Sequence, residues 1–194
     1  MKYTLLIMLV AVFSSTASAN DVCPEFVNMV TVISEDGASS QDLAMEKAIA
    51  KQRKRGIYRG YDNSIRLEAP SAKVAVKRSQ AFAFKPLNPS IHPAQQIKLY
   101  PFHTKKQFRE LVVGGSNMWG GSKNKKAADN SVALAFKKIS DGCYKVTPAV
   151  PLPKGQYAFS VGSVGNGSSA DVKGTKAGYG SSVSGQVWFG FSIK

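Results

Sequence analysis

The sequence predicts a mainly β protein, an antiparallel β-sandwich with one N-terminal helix. Three observations carry that prediction. Short segments of alternating apolar and polar residues recur from residue 65 to residue 193. Clusters of Gly and Pro punctuate them. Helical and strand patterns do not alternate along the chain as a parallel sheet would require, and no internal repeat is present.

Taken in order, residues 1–19 stand apart. Lys2 gives a positive start, residues 5–13 form an apolar run, and Ala17-Ser18-Ala19 supplies a small-x-small cleavage site. That order is a secretory signal peptide, and the run is too short to remain in a bilayer. The expected protein is exported, periplasmic or secreted, with no membrane span once the signal is removed. Residues 20–60 read as a strand-helix extension and residues 61–194 as the sandwich domain. The first strand is expected over residues 27–33, β-branched and flanked by Pro24 and Gly37. Ser39 with Asp42 three residues on gives an N-cap signature, and Leu43, Ala44, Ala48 and Ile49 share one helical side. Lys51, Arg53, Lys54 and Arg55 suit the negative end of a helix dipole, and Gly56 ends the pattern.

The β-rich region follows a turn read at residues 60–63. Ile65 and Leu67 alternate with Arg66 and Glu68, so one face is buried and one wet. Val74 with Val76 and Phe82 with Phe84 repeat the pattern. Pro86, Pro89 and Pro93 mark a loop before a strand holding Ile97, Leu99 and Phe102, and residues 108–113 make its partner. Val132, Leu134 and Phe136 resume the alternation. The final strand puts Val187, Phe189, Phe191 and Ile193 on one face and Trp188 on the other.

Between these lie two strands joined at a corner. Tyr144 and Val146 face one way on the first; Tyr157, Phe159 and Val161 share a face of the second. Pro148, Pro151 and Pro153 deny the intervening backbone a ladder. The run Leu152-Pro153-Lys154-Gly155-Gln156-Tyr157 resembles the tyrosine corner of immunoglobulin-like sandwiches, where a Tyr opening a late strand bonds back to the connection before it. An ordinary β-arch with a turn Gly and a core Tyr is the alternative. With the alternating final strand, the corner resembles immunoglobulin-like modules of exported bacterial proteins. The resemblance implies an immunoglobulin-like sandwich and interaction rather than catalysis. It departs from antibody domains in carrying Phe159 where they place Cys. A second likeness, to fimbrial subunits whose last strand pairs with a partner, implies an assembly subunit, although Ile193 stands where those commonly carry Tyr.

Charge and chemistry narrow the function. The chain has a formal net charge of +14, or +13 without Lys2. Residues 73–138 hold thirteen basic side chains against Glu110 and Asp129 alone, a balance that favours anionic partners. These are an acidic envelope polymer, lipid head groups or an acidic face of an envelope protein, with nucleic acid less favoured; solubility alone is the bland alternative. Candidate contacts are Lys105, Lys106, Trp119, Lys123, Lys125 and Lys126, the Trp stacking a ring while the ammoniums meet acids. Arg53, Lys54 and Arg55 form a second patch. The two cysteines, Cys23 and Cys143, are expected to form one disulfide in an oxidising space. His92 and His103 lack metal-ligand neighbours, no G-x-S-x-G elbow is present, and the Gly-rich residues 162–167 lack the Gly-Lys-Ser/Thr of a phosphate loop. No catalytic residue, metal or cofactor is expected. The predicted function is non-enzymatic binding through a basic surface; the alternatives are assembly through a sheet edge and a hydrolase with an unfamiliar site.

Overall fold

In the computed structural model, residues 22–37, 40–54, 60–116, 122–123, 130–162 and 186–194 are described. The expected signal peptide, Arg55, Trp119, Lys125, Lys126 and the Gly- and Ser-rich residues 163–185 lie outside them. The described chain is mainly β, in antiparallel sheets with one parallel pairing. Its strands are β1 (Val30–Ile33), β2 (Ser40–Asp42), β3 (Met45–Glu46), β4 (Ala48–Lys54), β5 (Tyr61–Glu68), β6 (Ala75–Val76) and β7 (Phe82–Phe84). After the single helical turn α1 (Pro93–Gln96) come β8 (Ile97–Thr104), β9 (Phe108–Ser116), β10 (Ser122–Lys123), β11 (Leu134–Ser140), β12 (Cys143–Pro148), β13 (Gly155–Gly162) and β14 (Gln186–Ile193).

One sheet has five strands in the order β11-β12-β7-β1-β2. The other follows β3-β14-β13-β8-β9-β5-β4, with β10 on β9 and β6 beside β14. The two ends of that path, β3 and β4, are consecutive in the chain and separated by Lys47 alone. The sheet therefore curls until residues 45–54 close it, pairing β14 at one end and β5 at the other.

Curling gives β13 and β14 two buried faces. Outward, Tyr157, Phe159, Val161, Phe189, Phe191 and Ile193 pack on Val30, Phe82, Phe84 and Val146 of the five-stranded sheet. Phe82 sits at the centre of this layer, 4.9 Å from the Phe159 ring and 5.0 Å from Phe191. Inward, Trp188 meets Tyr100 and Phe102 at 5.9 and 5.7 Å, among Ile65, Leu67, Leu111, Val113 and Ala158. The alternation in the last strand thus marks two cores, where a half-solvated sheet would leave the Trp188 face wet.

The helix expected between Ser39 and Gly56 is absent; residues 40–42, 45–46 and 48–54 are strands. A lone helix needs tertiary packing to persist. Here the ladder to β5 sets Ala48 opposite Leu67 and Ala50 opposite Ile65, so the small side chains cover the inner core while Ile49 and Lys51 face outward. Pairing overrides local propensity. The turn expected at 60–63 is confined to Gly60, whose φ is +82°, because Tyr61 already pairs with Lys54 and Ser116.

An ion pair occupies the inside of the curl. Arg109, 1 % exposed, donates through Nη2 to Glu46, and through Nε and Nη2 to the carbonyls of Ala69 (3.2 Å) and Glu68 (3.3 Å). Burial pushes the Glu46 carboxyl upward, against the pull of the Arg109 charge and hydrogen bond. Gly190 supplies the room, since a Cβ there would lie 2.8 Å from Arg109 Nη1 and closer still to the Glu46 carboxylate.

The corner forms as its spacing suggests. Tyr157 is buried, its hydroxyl donates to Pro153 O at 3.0 Å, and its ring stacks on Phe191 at 5.6 Å. Leu152 is buried beside it, and Gly155 lies under the Tyr157 ring, where an added Cβ would be 3.5 Å from Cε2. Cys23 and Cys143 are bonded across 120 residues, covering the outer face of the five-stranded sheet with Val22, Ile33 and Ala83.

Two predictions follow from this packing. Replacing both cysteines by Ser removes a closed loop and should lower unfolding free energy by about 4–5 kcal/mol on chain-entropy grounds, read from urea titration. Gly190→Ala should cost about 1–3 kcal/mol by overpacking the ion pair, while Gly114→Ala, with open space around it, should leave the urea midpoint nearly unchanged.

Candidate anion-binding wall

Half of the curled sheet's outer surface packs on the five-stranded sheet; the rest, built from β4, β5, β9 and the end of β8, faces solvent. Alternation decides what it displays. With Ile65 and Leu67 turned inward, Ser64 and Arg66 turn outward. Their register partners are Lys51 and Ile49 on one side, Val112 and Glu110 on the other, and His103 lies opposite Glu110 on β8.

Arg66 organises the middle of this wall. Its Nε donates to Glu110 Oε1 at 2.9 Å, and its guanidinium lies 4.2 Å over the Phe108 ring. Ser64 Oγ donates to the same Glu110 oxygen at 2.9 Å. Burial alone would raise the Glu110 carboxyl, but the Ser64 and Arg66 hydrogen bonds and the charges of Arg66 and Lys105 outweigh it, holding it below its ordinary value of 4.5. At neutral pH Glu110 is therefore an anion that fixes Arg66 flat against the wall.

Ser64, His103 and Glu110 have the composition of a nucleophile, base and acid but not the connections. Ser64 is 2 % exposed and gives its hydrogen bond to the carboxylate, so it has no imidazole to activate it. Among the described residues no group of three or more His, Cys, Asp or Glu could hold a metal ion. No described helix is long and apolar enough to cross a membrane.

The two basic patches expected from sequence are redistributed. Arg53 and Lys54 are exposed at the far end of β4, where Arg53 shares a register row with Asp62, Gly115 and Lys123. Lys123 thus joins the row of Arg53 rather than that of Lys105. Lys105 and Lys106 are exposed in the β8–β9 turn at the opposite end of β9, about 24 Å away at ~3.4 Å per residue. Arg66 and Lys51 fill the interval and make a stripe: Arg53, Lys51, Arg66, Lys105. Arg66 was not a candidate contact in the sequence, and Lys51 entered it only as part of the basic end of an expected helix. Alternation marked Arg66 as wet, but only the β5–β9 register brings it to Glu110 and Phe108. No protein-family model, curated protein or solved structure matches the chain.

The Glu110 environment has a consequence for acid stability. A carboxyl depressed in the fold stabilises it above the unfolded pKa, and that contribution is lost as pH falls through the folded value. Glu110→Gln should therefore lower the urea midpoint near pH ~7 and flatten its decline toward pH ~3.

Proposed function

We propose that this protein is an exported, non-enzymatic binding module whose basic wall meets an anionic polymer of the cell envelope. The observation that carries this reading is the stripe of Arg53, Lys51, Arg66 and Lys105 on one exposed wall, with Arg66 pre-oriented by Glu110 and Phe108. A guanidinium fixed in place loses little entropy on meeting a carboxylate or phosphate. The cations spaced along the strands suit an extended polyanion better than one compact anion. Lipid head groups and an acidic envelope protein share this chemistry but would require a flatter or a more shape-specific surface. The disulfide is compatible with export to an oxidising compartment.

The immunoglobulin-like kinship belongs to the same proposal. The Tyr157 hydroxyl bond to Pro153 supports it, while the curled second sheet departs from that plan. Assembly through the last strand has less support, because β14 is paired by β13 along its length and by β3 and β6 on its other edge.

The test is elution from an anionic matrix with rising salt. Replacing the half-buried Lys51 and the exposed Arg53 and Lys105 by Ser removes three cationic contacts of roughly 0.5 kcal/mol each, which should weaken binding about ten-fold. Lys137→Ser with Lys145→Ser, on the other sheet, should leave elution nearly unchanged. Equal losses from both sets would mean net charge rather than this wall governs retention.

A further inference from the structure

The net charge of the chain conceals a segregation. Of its twelve acidic residues, Asp21, Glu25, Glu35, Asp36, Asp42 and Glu46 all precede Lys47, and no Lys or Arg occurs among residues 20–46. That stretch supplies β2, one edge of the five-stranded sheet; the opposite edge is β11, which carries Lys137 and Lys138 beside Lys145 of β12. A single register row crosses the sheet as Lys137, Lys145, Ala83, Thr31 and Asp42. It begins with two exposed lysines directly opposite each other, an unfavourable pair, and ends with an exposed acid.

Among the described residues, both edge strands have one bonded neighbour in the sheet. Leu43 N–H donates to Val30 O at 3.0 Å, so in an antiparallel ladder the backbone N–H and C=O of Asp42 point away from β1. The edge is flanked by a hollow on either face. One, of about 260 Å³, is lined by Cys23, Glu25, Phe26 and Asp42; the other, of about 530 Å³, is lined by Gln41, Val76 and Lys194. Phe26 beside the first is 65 % exposed. A strand laid along β2 would send alternate side chains into the two hollows, as strand addition requires.

We propose that the protein self-associates head to tail, the acidic β2 edge of one copy receiving the basic β11 edge of the next. Charge selects this pairing over its rivals. A two-fold contact would set β2 against β2 or β11 against β11, acid on acid or lysine on lysine. Edge lysines commonly block pairing between like edges, but they favour an acidic one. Because every neighbour in the sheet is antiparallel, β2 and β11 of one copy run in the same direction. Continuing the sheet gives a parallel contact, with Asp42 of one copy facing Lys137 of the next. Such an interface is heterologous and leaves a free acidic and a free basic edge at the ends of each assembly. The residues involved are separate from the stripe on β4, β5 and the β8–β9 turn, so this inference stands independently of the binding proposal.

Sedimentation velocity of the full folded protein at low ionic strength tests it. The wild type should grow beyond a dimer with concentration and return to monomer as salt is raised. Glu25→Lys with Asp42→Lys should be monomeric, and so should Lys137→Glu with Lys145→Glu, while an equimolar mixture of the two variants should associate. Circular dichroism checks that each variant is folded; if one is not, the other and the wild type still decide. A wild type that stays monomeric, stops at a dimer, or associates undiminished in the Lys137/Lys145 variant overturns the proposal.

Discussion

A buried guanidinium is tolerated only when its donors are engaged and its charge is answered. Arg109 meets most of that condition through Nε and Nη2, reaching from β9 to Glu46 on the strand that closes the curled sheet and to two carbonyls at the end of β5. Three distant parts of the chain are thereby held to one point. The contact also explains two local peculiarities. Ala69, whose carbonyl accepts from Arg109, has a left-handed φ of +67°, and position 190 carries no side chain because the ion pair fills that space. Arg109 Nη1 and Trp188 Nε1 remain buried without a protein partner, so the inside of the curl is not satisfied by side chains alone.

How much of this was legible in the sequence depended on how local the signal was. Alternation located β5, β8, β9, β11 and β14, and the proline-bounded run before Tyr157 announced the corner, because each is decided by a few neighbouring residues. The segment from Ser40 to Lys54 failed for the opposite reason. Its Ala, Lys, Gln and Arg content favours a helix in isolation, and only the distant ladder to β5 makes it a strand. Trp188 was placed on the right face of its strand, but the second core behind it depends on closure of the sheet. The wall was half visible: Arg53 and Lys105 stood out as charges, whereas the partnership of Arg66, Ser64 and Glu110 is a matter of register, which composition does not encode.

A large net charge is usually treated as one property of a protein. In this fold it is several, distributed by strand order. Cations lie along a wall of the curled sheet and along one edge of the five-stranded one, while Asp42 and Glu25 flank the opposite edge. Local fields at these surfaces differ in sign, and within a Debye length each is felt separately by a partner.

The last strand in the chain lies in the interior of the curled sheet, paired by β13 on one side and by β3 and β6 on the other. Segments more than a hundred residues apart in sequence are therefore neighbours, and both hydrophobic clusters contain side chains from β14. With β14 unpaired, both cores lack large side chains: Phe189, Phe191 and Ile193 on one face and Trp188 on the other. Neither core can therefore be completed without the other, and both wait on a pairing between segments far apart in sequence, a contact expensive in loop-closure entropy.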